Sequence, residues 1–478
     1  MKLAKDLQSR QQVRDLLEAA EAAQKKLRQL DQQTIDRIVC AMAEAGKAHA
    51  AELANAAVEE TGFGNAADKT EKNRFASETL WDAVKDLKTV GILKKNNETR
   101  VWDVAVPVGV IAAIVPSTNP TSTVIYKSII ALKGGNAIVF SPHPGARNCT
   151  VMAARLMAEA AEKAGCPAGA IGCVTISSMD AVQELMRHDT TALILATGGG
   201  AMVKAAYSSG TPAIGVGAGN GPAYLHPSCD LPKAVSQIVR SKTFDNGTVC
   251  ASEQSIIVHR SMAADLEKEL LAHGCCILSD AESKQLAAKL FRENGTMNPK
   301  IVGKTAAEIA AMAGLGAEAK RAKVLLARET DAGLQYPYSM EKLCPVLGLF
   351  TVENEEEALA LSCRILQHEG SGHTFVIHCK DDSVVERFSR QVPVSRFLVN
   401  TPAALGGIGA TTGLFPAFTL GCGAVGGSSS SNNIGPLDLI NIRRVAWGNK
   451  DASQGHTTVT TDDILLERLA QKLMQKLM

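Results

Sequence analysis

The chain of 478 residues carries 50 basic and 49 acidic side chains, a formal charge of +1. That balance, without a long basic run, gives no sign of the positive patch that nucleic acid or an anionic membrane surface calls for. Hydrophobic residues at 46% and charged residues at 21% describe an ordinary globular protein with room for roughly two or three cored domains. The twelve cysteines form no CxxC pair, and Cys275 and Cys276 are adjacent. Neither a metal site nor a disulfide framework is expected, and a reducing compartment is. The start, Met1 to Asp6, runs into a charged helical pattern, and the longest apolar stretch, Val104 to Pro116, is too short to span a bilayer. The expected location is cytoplasmic.

Residues from about 5 to 92 read as helices rich in Ala, Glu, Lys and Leu, with Val13-Leu16-Leu17 and Ile35-Ile38-Val39-Met42 at helical spacing. From about 100, β-branched runs at 108–115, 137–140, 192–195 and 213–216 alternate with helical stretches at 149–165 and 200–208. Such alternation predicts parallel α/β units. A second series follows, with strands at 255–258, 346–352, 373–378 and 396–400 and helices at 263–273 and 281–291. Residues 406–433 read as an ordered Gly- and Ser-rich loop, and 436–447 as one more strand-like run. A polar linker from 450 to 461 leads to a last helix. There Leu465, Leu466, Leu469, Leu473 and Leu477 share a face, with Asp462 and Asp463 at its start and Lys472 and Lys476 near its end.

Four segments carry chemistry. Ser241 to Gln254 places Cys250 between a polar Gly-containing loop and an apolar strand, where backbone amides can be aimed at a substrate. Taken by itself, Cys250 is one small residue among twelve. The run Ile114 to Ser122 holds Pro116, Ser117, Thr118 and Asn119. Its Asn-Pro pair is either a plain turn or a side-chain amide set beside the thiol. Thr197-Gly198-Gly199 follows a strand and opens a helix, as a pyrophosphate cradle does, although two glycines also punctuate many turns. The GxGxxG match at Gly421 to Gly426 is followed by Ser428 to Asn433, not by a helix, so it is read as a loop near the substrate.

From about residue 10 to 448, these motifs in this order closely resemble the CoA-acylating aldehyde dehydrogenases, including the N-terminal half of bifunctional aldehyde-alcohol dehydrogenases. The resemblance implies an α/β fold of two Rossmann-like parallel-sheet domains. Residues 1–240 would bind NAD and 241–435 carry the nucleophile. Residues 100–108 and 436–449 would form a small oligomerisation element of a homodimer or tetramer, and 450–478 a linker and terminal helix. It makes Cys250 the nucleophile and Asn119 an oxyanion donor. It gives the cofactor to Pro116, Ser117, Thr118, Ser141, His143, Thr197, Gly198, Gly199, Gly217 and Glu341. Many relatives carry Lys where Ser141 stands. Hydrolytic relatives carry a Glu at the position of Val216, so an acyl group on Cys250 is expected to await coenzyme A rather than water. His373 is either the base that deprotonates the CoA thiol or a hydrogen-bonded structural histidine.

The expected substrate is a two- or three-carbon aldehyde such as acetaldehyde or propionaldehyde. Sulfoacetaldehyde and succinate semialdehyde are alternatives, with Arg396 and Arg443 the candidate partners of an anionic group. The tail resembles that of aldehyde dehydrogenases enclosed in bacterial microcompartments, where 462–478 would contact shell or cargo proteins. A hydrolytic dehydrogenase and a catalytically silent cargo adaptor are the competing classes.

Overall fold

The computed structural model describes residues 4–292, 295–448 and 461–477. Two compact units divide the chain, one of residues 1–90 and 106–441, the other of residues 91–105 and 442–478.

The larger unit opens with helices α1 (Lys5–Leu27), α2 (Gln32–Ala48), α3 (Ala50–Thr61), α4 (Ala66–Arg74) and, after a π-helical turn, α5 (Leu80–Val84). They form where the periodicity predicts them, because Val13, Leu17, Ile35, Ile38 and Met42 bury one face of each helix. Asp31 caps α2 by accepting the Thr34 amide. The helical reading runs too far at its end, since residues 91–96 form a strand, β1 (Gly91–Asn96), which is followed by β2 (Val101–Pro107).

A five-stranded parallel sheet comes next. Its chain order is β3 (Val110–Val115), α6 (Pro120–Lys133), β4 (Ala137–Pro142), α7 (Arg147–Lys163), β5 (Ile171–Cys173), α8 (Met179–Arg187), β6 (Thr191–Thr197), α9 (Gly200–Tyr207) and β7 (Ala213–Val216). The strand order β5-β4-β3-β6-β7 means that successive connections leave β3 toward opposite edges. The crevice above β3 and β6 is therefore a topological switch point, where open α/β sheets bind ligands. β3 and β4 are buried at every position, which explains their unbroken apolar runs.

The second sheet has seven parallel strands in the order β10-β11-β12-β9-β8-β13-β14. They are β8 (Gly221–Leu225), β9 (Glu253–His259), β10 (Cys275–Ile277), β11 (Val324–Arg328), β12 (Val346–Val352), β13 (Gly372–His378) and β14 (Val394–Val399). Their helices are α10 (Leu231–Thr243), α11 (Ala263–Ala272), α12 (Asp280–Leu290), α13 (Ala306–Met312), α14 (Glu355–His368), α15 (Asp382–Ser389) and α16 (Ala403–Gly407). The expected boundary at 240 is thereby corrected. β8 and α10 already belong to the second sheet, where Ala223, Val235 and Ile238 share a core with Ile256 and Leu347. The far boundary moves as well, because Ala404, Ile408, Leu420 and Ile434 return to the core of the first sheet.

The smaller unit holds the three-stranded sheet β1-β2-β15, with β15 at Ile440–Ala446 and β1 antiparallel to β2. The run at 436–447 is a strand only from 440, since Pro436–Leu439 is a 3-10 turn in which the Asp438 side chain accepts the Gly435 amide. Trp102 and Trp447 meet edge to face at 4.8 Å. The last element is α17 (Thr461–Leu477), while residues 450–460 of the expected linker lie outside the described residues. Leu465, Leu466, Leu469 and Leu473 are each more than half exposed. Among the described residues, no helix is long and apolar enough to cross a membrane.

Candidate active site

A cavity of about 420 Å³ lies in the larger unit at the carboxyl ends of β3, β6 and β7. Pro116 to Asn119 form one wall, Thr197 to Gly199 and Val216 to Ala218 another, and Thr248 to Cys250 a third, with His143 and Glu341 at the margins. Of the expected site residues, only Ser141 and His373 do not line it. Ser141 is buried inside β4, so the expected ribose contact is not brought into the cavity.

Cys250 follows a turn with unusual backbone. Asp245 and Asn246 adopt φ of 48° and 51°, and Gly247 of 75°. Non-glycine residues hold the left-handed region only at a cost, and here hydrogen bonds to Asp245 supply the compensation. Its carboxylate accepts the Asn65 amide at 2.9 Å and the Thr248 hydroxyl at 2.7 Å, and it pairs with Lys69 at 2.8 Å and with Lys72. Its own amide donates to Asp68 at 2.7 Å. Gly64 is required behind it, since a Cβ there would lie 1.8 Å from the carboxylate. The Cys250 thiol is pushed up to about 12, chiefly by burial and then by Glu341, against which Arg396 acts.

The Asn119 amide is fixed from both ends. Its oxygen accepts from the Lys72 ammonium at 2.6 Å, and its nitrogen donates to the Thr248 carbonyl at 3.1 Å and to the Thr118 hydroxyl at 3.3 Å. An ammonium only donates and a carbonyl only accepts, so both partners assign the same orientation.

The cofactor side is built from glycines. Gly199 caps α9 without a side-chain hydrogen bond, leaving the first amides of that helix for a ligand. A Cβ at Gly199, Gly200 or Gly217 would meet nothing within 4 Å, so the space above them is open. These features fit a dinucleotide, with the pyrophosphate at the head of α9. His143 Nδ1 is taken up by the Gly145 amide at 3.1 Å. Glu341 accepts the Gly219 amide at 2.9 Å. Burial, and next the charge of Glu369, push its carboxyl up to about 8, so it is mostly protonated at neutral pH.

His373 stands behind Cys250. A Cβ on Gly219 would lie 2.0 Å from the Cys250 carbonyl oxygen and 3.3 Å from the imidazole, so the glycine separates the two. The ring is fully buried, with Nδ1 on Thr374 Oγ1 at 2.9 Å and Nε2 without a partner. Burial, and secondarily Arg396, hold it well below its usual range, hence neutral. Arg396 does not line the cavity. It is buried and spans the carbonyls of Gly372 and Gly421 at 3.2 and 2.7 Å, tying the 420–421 loop to β13. Arg443 lies exposed on β15 of the smaller unit.

The chain as a whole is similar to known proteins. The model of the aldehyde dehydrogenase family matches residues 5–316. The aldehyde-alcohol dehydrogenase of Clostridium acetobutylicum is 42% identical over 90% of this chain and 50% of its own length. The chain thus spans about half the length of that relative. An acetylating aldehyde dehydrogenase from Geobacillus thermoglucosidasius is 50% identical, with a TM-score of 0.92 over 94% of this chain and 99% of that one. The propionaldehyde dehydrogenase of Rhodopseudomonas palustris, solved with bound CoA and an acylated cysteine, is 28% identical, with a TM-score of 0.82 over 91% and 97%. This chain belongs to the aldehyde dehydrogenase family.

The site also rests on residues that the sequence did not single out. Lys69 and Lys72 sit in a charged stretch that reads as a solvated helix face, yet both are buried. Lys242 and Lys342 are buried too. Lys242 donates to Gln254 at 3.0 Å and to the Lys342 carbonyl at 2.9 Å, holding the segment that presents Glu341. Lys127 bridges the carbonyls of Ile114 and Leu195 at 2.8 and 2.9 Å, pinning β3 to β6 below the crevice. A lysine carries no sequence mark of burial. The one signal was indirect, since Asp245 lies inside the Cys250 motif and a buried carboxylate needs a cation.

Proposed function

We propose that this dehydrogenase oxidises an aldehyde with NAD and transfers the acyl group from Cys250 to coenzyme A. One observation carries the reading. Val216 faces the cavity where hydrolytic relatives have a glutamate, and Glu341, the one carboxylate among the described lining residues, keeps its proton at neutral pH. The wall therefore offers no ionised carboxylate for activating water, and its one histidine, His143, has Nδ1 taken by the Gly145 amide. The acetylating Geobacillus enzyme, and the Rhodopseudomonas enzyme with its bound CoA and acylated cysteine, agree with acyl transfer.

In this reading the Cys250 thiolate attacks the carbonyl carbon, and the Asn119 amide and the Cys250 backbone N–H hold the new oxyanion. The bound dinucleotide supplies the hydride acceptor. Pro116 to Thr118, Thr197 to Gly199, Gly217, His143 and Glu341 orient it. Collapse of the thiohemiacetal leaves a thioester on Cys250. The CoA thiolate then adds to that carbonyl, and Cys250 leaves as thiolate. His373, neutral and with Nε2 unpaired, is the proposed acceptor of the CoA thiol proton, and Gly219 keeps the intervening space free of a side chain.

Apart from Thr123, the remaining described lining is apolar, including Phe63, Met297, Val302, Leu343, Ile408 and Phe418, and contains no lysine or arginine. This favours a neutral two- or three-carbon aldehyde over sulfoacetaldehyde or succinate semialdehyde. The exposed leucines of α17 support enclosure in a microcompartment within the cytoplasm, by contact with shell or cargo protein. The small sheet is the proposed seat of a homodimer or tetramer. The test is NADH formation from acetaldehyde, propionaldehyde and the two anionic aldehydes, with and without CoA. Turnover should require CoA, favour the neutral substrates and vanish in Cys250→Ala. Full turnover without CoA would overturn the acyl-transfer reading.

A further inference from the structure

The buried lysine pair behind Asn119 is not explained by fold stability alone. Lys72 is 1% exposed and reaches Asn119 Oδ1 at 2.6 Å, Asp245 Oδ2 at 2.5 Å and Thr248 Oγ1 at 3.2 Å. An ammonium has three protons, and these contacts occupy all of them. Two of the partners belong to the turn that presents Cys250, and the third is the oxyanion donor. Lys69 shares Asp245 with it but reaches the Thr118 carbonyl, at 2.8 Å, instead of Asn119. The two lysines therefore make the same ion pair and differ in what else they hold.

We infer that Lys72 is a positioning residue, which holds the Asn119 carbonyl and polarises the amide N–H that rests on the Thr118 hydroxyl at 3.3 Å, the donor left for the reacting oxygen once Thr248 has taken the other. A cation on the oxygen of an amide draws electron density from its nitrogen, and the N–H becomes the stronger donor. Lys72 also ties that donor to the Cys250 turn through Asp245 and Thr248, so amide and nucleophile keep one spacing. Preorganised donors of this kind act without rearranging during the reaction. The inference rests on the role proposed for Asn119.

The groups facing Lys72 are Asp245 and Phe244 from the turn, whose ring centroid is 5.4 Å away, and Lys69 and Asp68 from its own helix. Burial outweighs Asp245 and brings the ammonium down to about 8. As pH rises through that value Lys72 becomes neutral, and its hold on the amide weakens. Arginine keeps its charge there.

The test is a double-mutant cycle on single-turnover hydride transfer and on thioester exchange with CoA, using Lys72→Met, Asn119→Ala and their combination. Asn119→Ala should slow both steps on the order of 100- to 1,000-fold. Lys72→Met should slow both by roughly tenfold or more and add little on top of Asn119→Ala, because it acts through that amide. Lys69→Met is the control for losing half of the ion pair. A purely structural role predicts that both lysine variants fall alike and that Lys72→Met adds fully to Asn119→Ala. If Lys72→Met does not fold, Lys72→Arg answers the question, since the alkaline loss of rate above about pH 8 should move upward. Full additivity, or an unmoved alkaline limb, overturns the inference. Normal rates in Asn119→Ala would instead remove the Asn119 assignment and the inference with it.

Discussion

The thiol of Cys250 is held up by two causes that can be separated. Burial is fixed by the fold, but the contribution of Glu341 depends on that carboxyl being ionised, which happens only above about 8. Below that pH, glutamic acid and glutamine carry the same charge. Alkylation of Cys250 by iodoacetamide should therefore run at similar rates in wild type and Glu341→Gln up to about pH 8. Above it, the variant should react faster, because no carboxylate opposes the thiolate. Profiles that stay parallel to the alkaline end would mean that burial alone sets the thiol. Cys250 and Asn119 were singled out in the sequence because each sits in a short local motif. Lys72 was not, since its partners Asn119 and Asp245 are 47 and 173 residues away.

At the scale of one element, α9 lacks a side-chain cap where the cofactor is proposed to bind. Its N-cap, Gly199, offers no side-chain acceptor, and a Cβ there meets open space. Gly199→Asp should cap the helix and favour its dipole, raising stability by a few tenths to about 1 kcal/mol in a thermal melt. The same carboxylate would occupy the ground proposed for pyrophosphate. NADH affinity, read by fluorescence titration, should fall at least roughly tenfold. Unchanged affinity would move the pyrophosphate away from α9. This turn was readable as strand, glycines and helix within a dozen residues. The three-residue strands β5 and β10 were not, being too short to show alternation.

The whole molecule was legible as two parallel-sheet layers, because both faces of each sheet are covered and the strands read as apolar runs. Where the chain passes from one sheet to the other was misjudged. Nothing local in Gly221 to Leu225 says which neighbours it will pair with, and the structure pairs it with β9 and β13. The terminal helix makes a prediction at this scale. Its leucines at 465, 466, 469 and 473 are 53–67% exposed, an apolar face that in water favours burial against another protein. Deleting residues 450–478 should leave turnover per active site within about twofold and abolish co-sedimentation with microcompartment shells. Unchanged recruitment would assign the face to a different neighbour.

The turn before Cys250 has a consequence for how this protein tolerates heat. Asn246 holds a left-handed backbone that glycine would adopt without the side-chain penalty. Its amide repays part of that penalty by donating to the Gly303 carbonyl at 2.9 Å. Asn246→Gly should thus change the melting temperature little, yet free the hinge that aims Cys250 and, in the proposed reaction, slow acylation several-fold. Selection for thermal tolerance alone would be nearly blind at this position, whereas selection for speed would keep the asparagine.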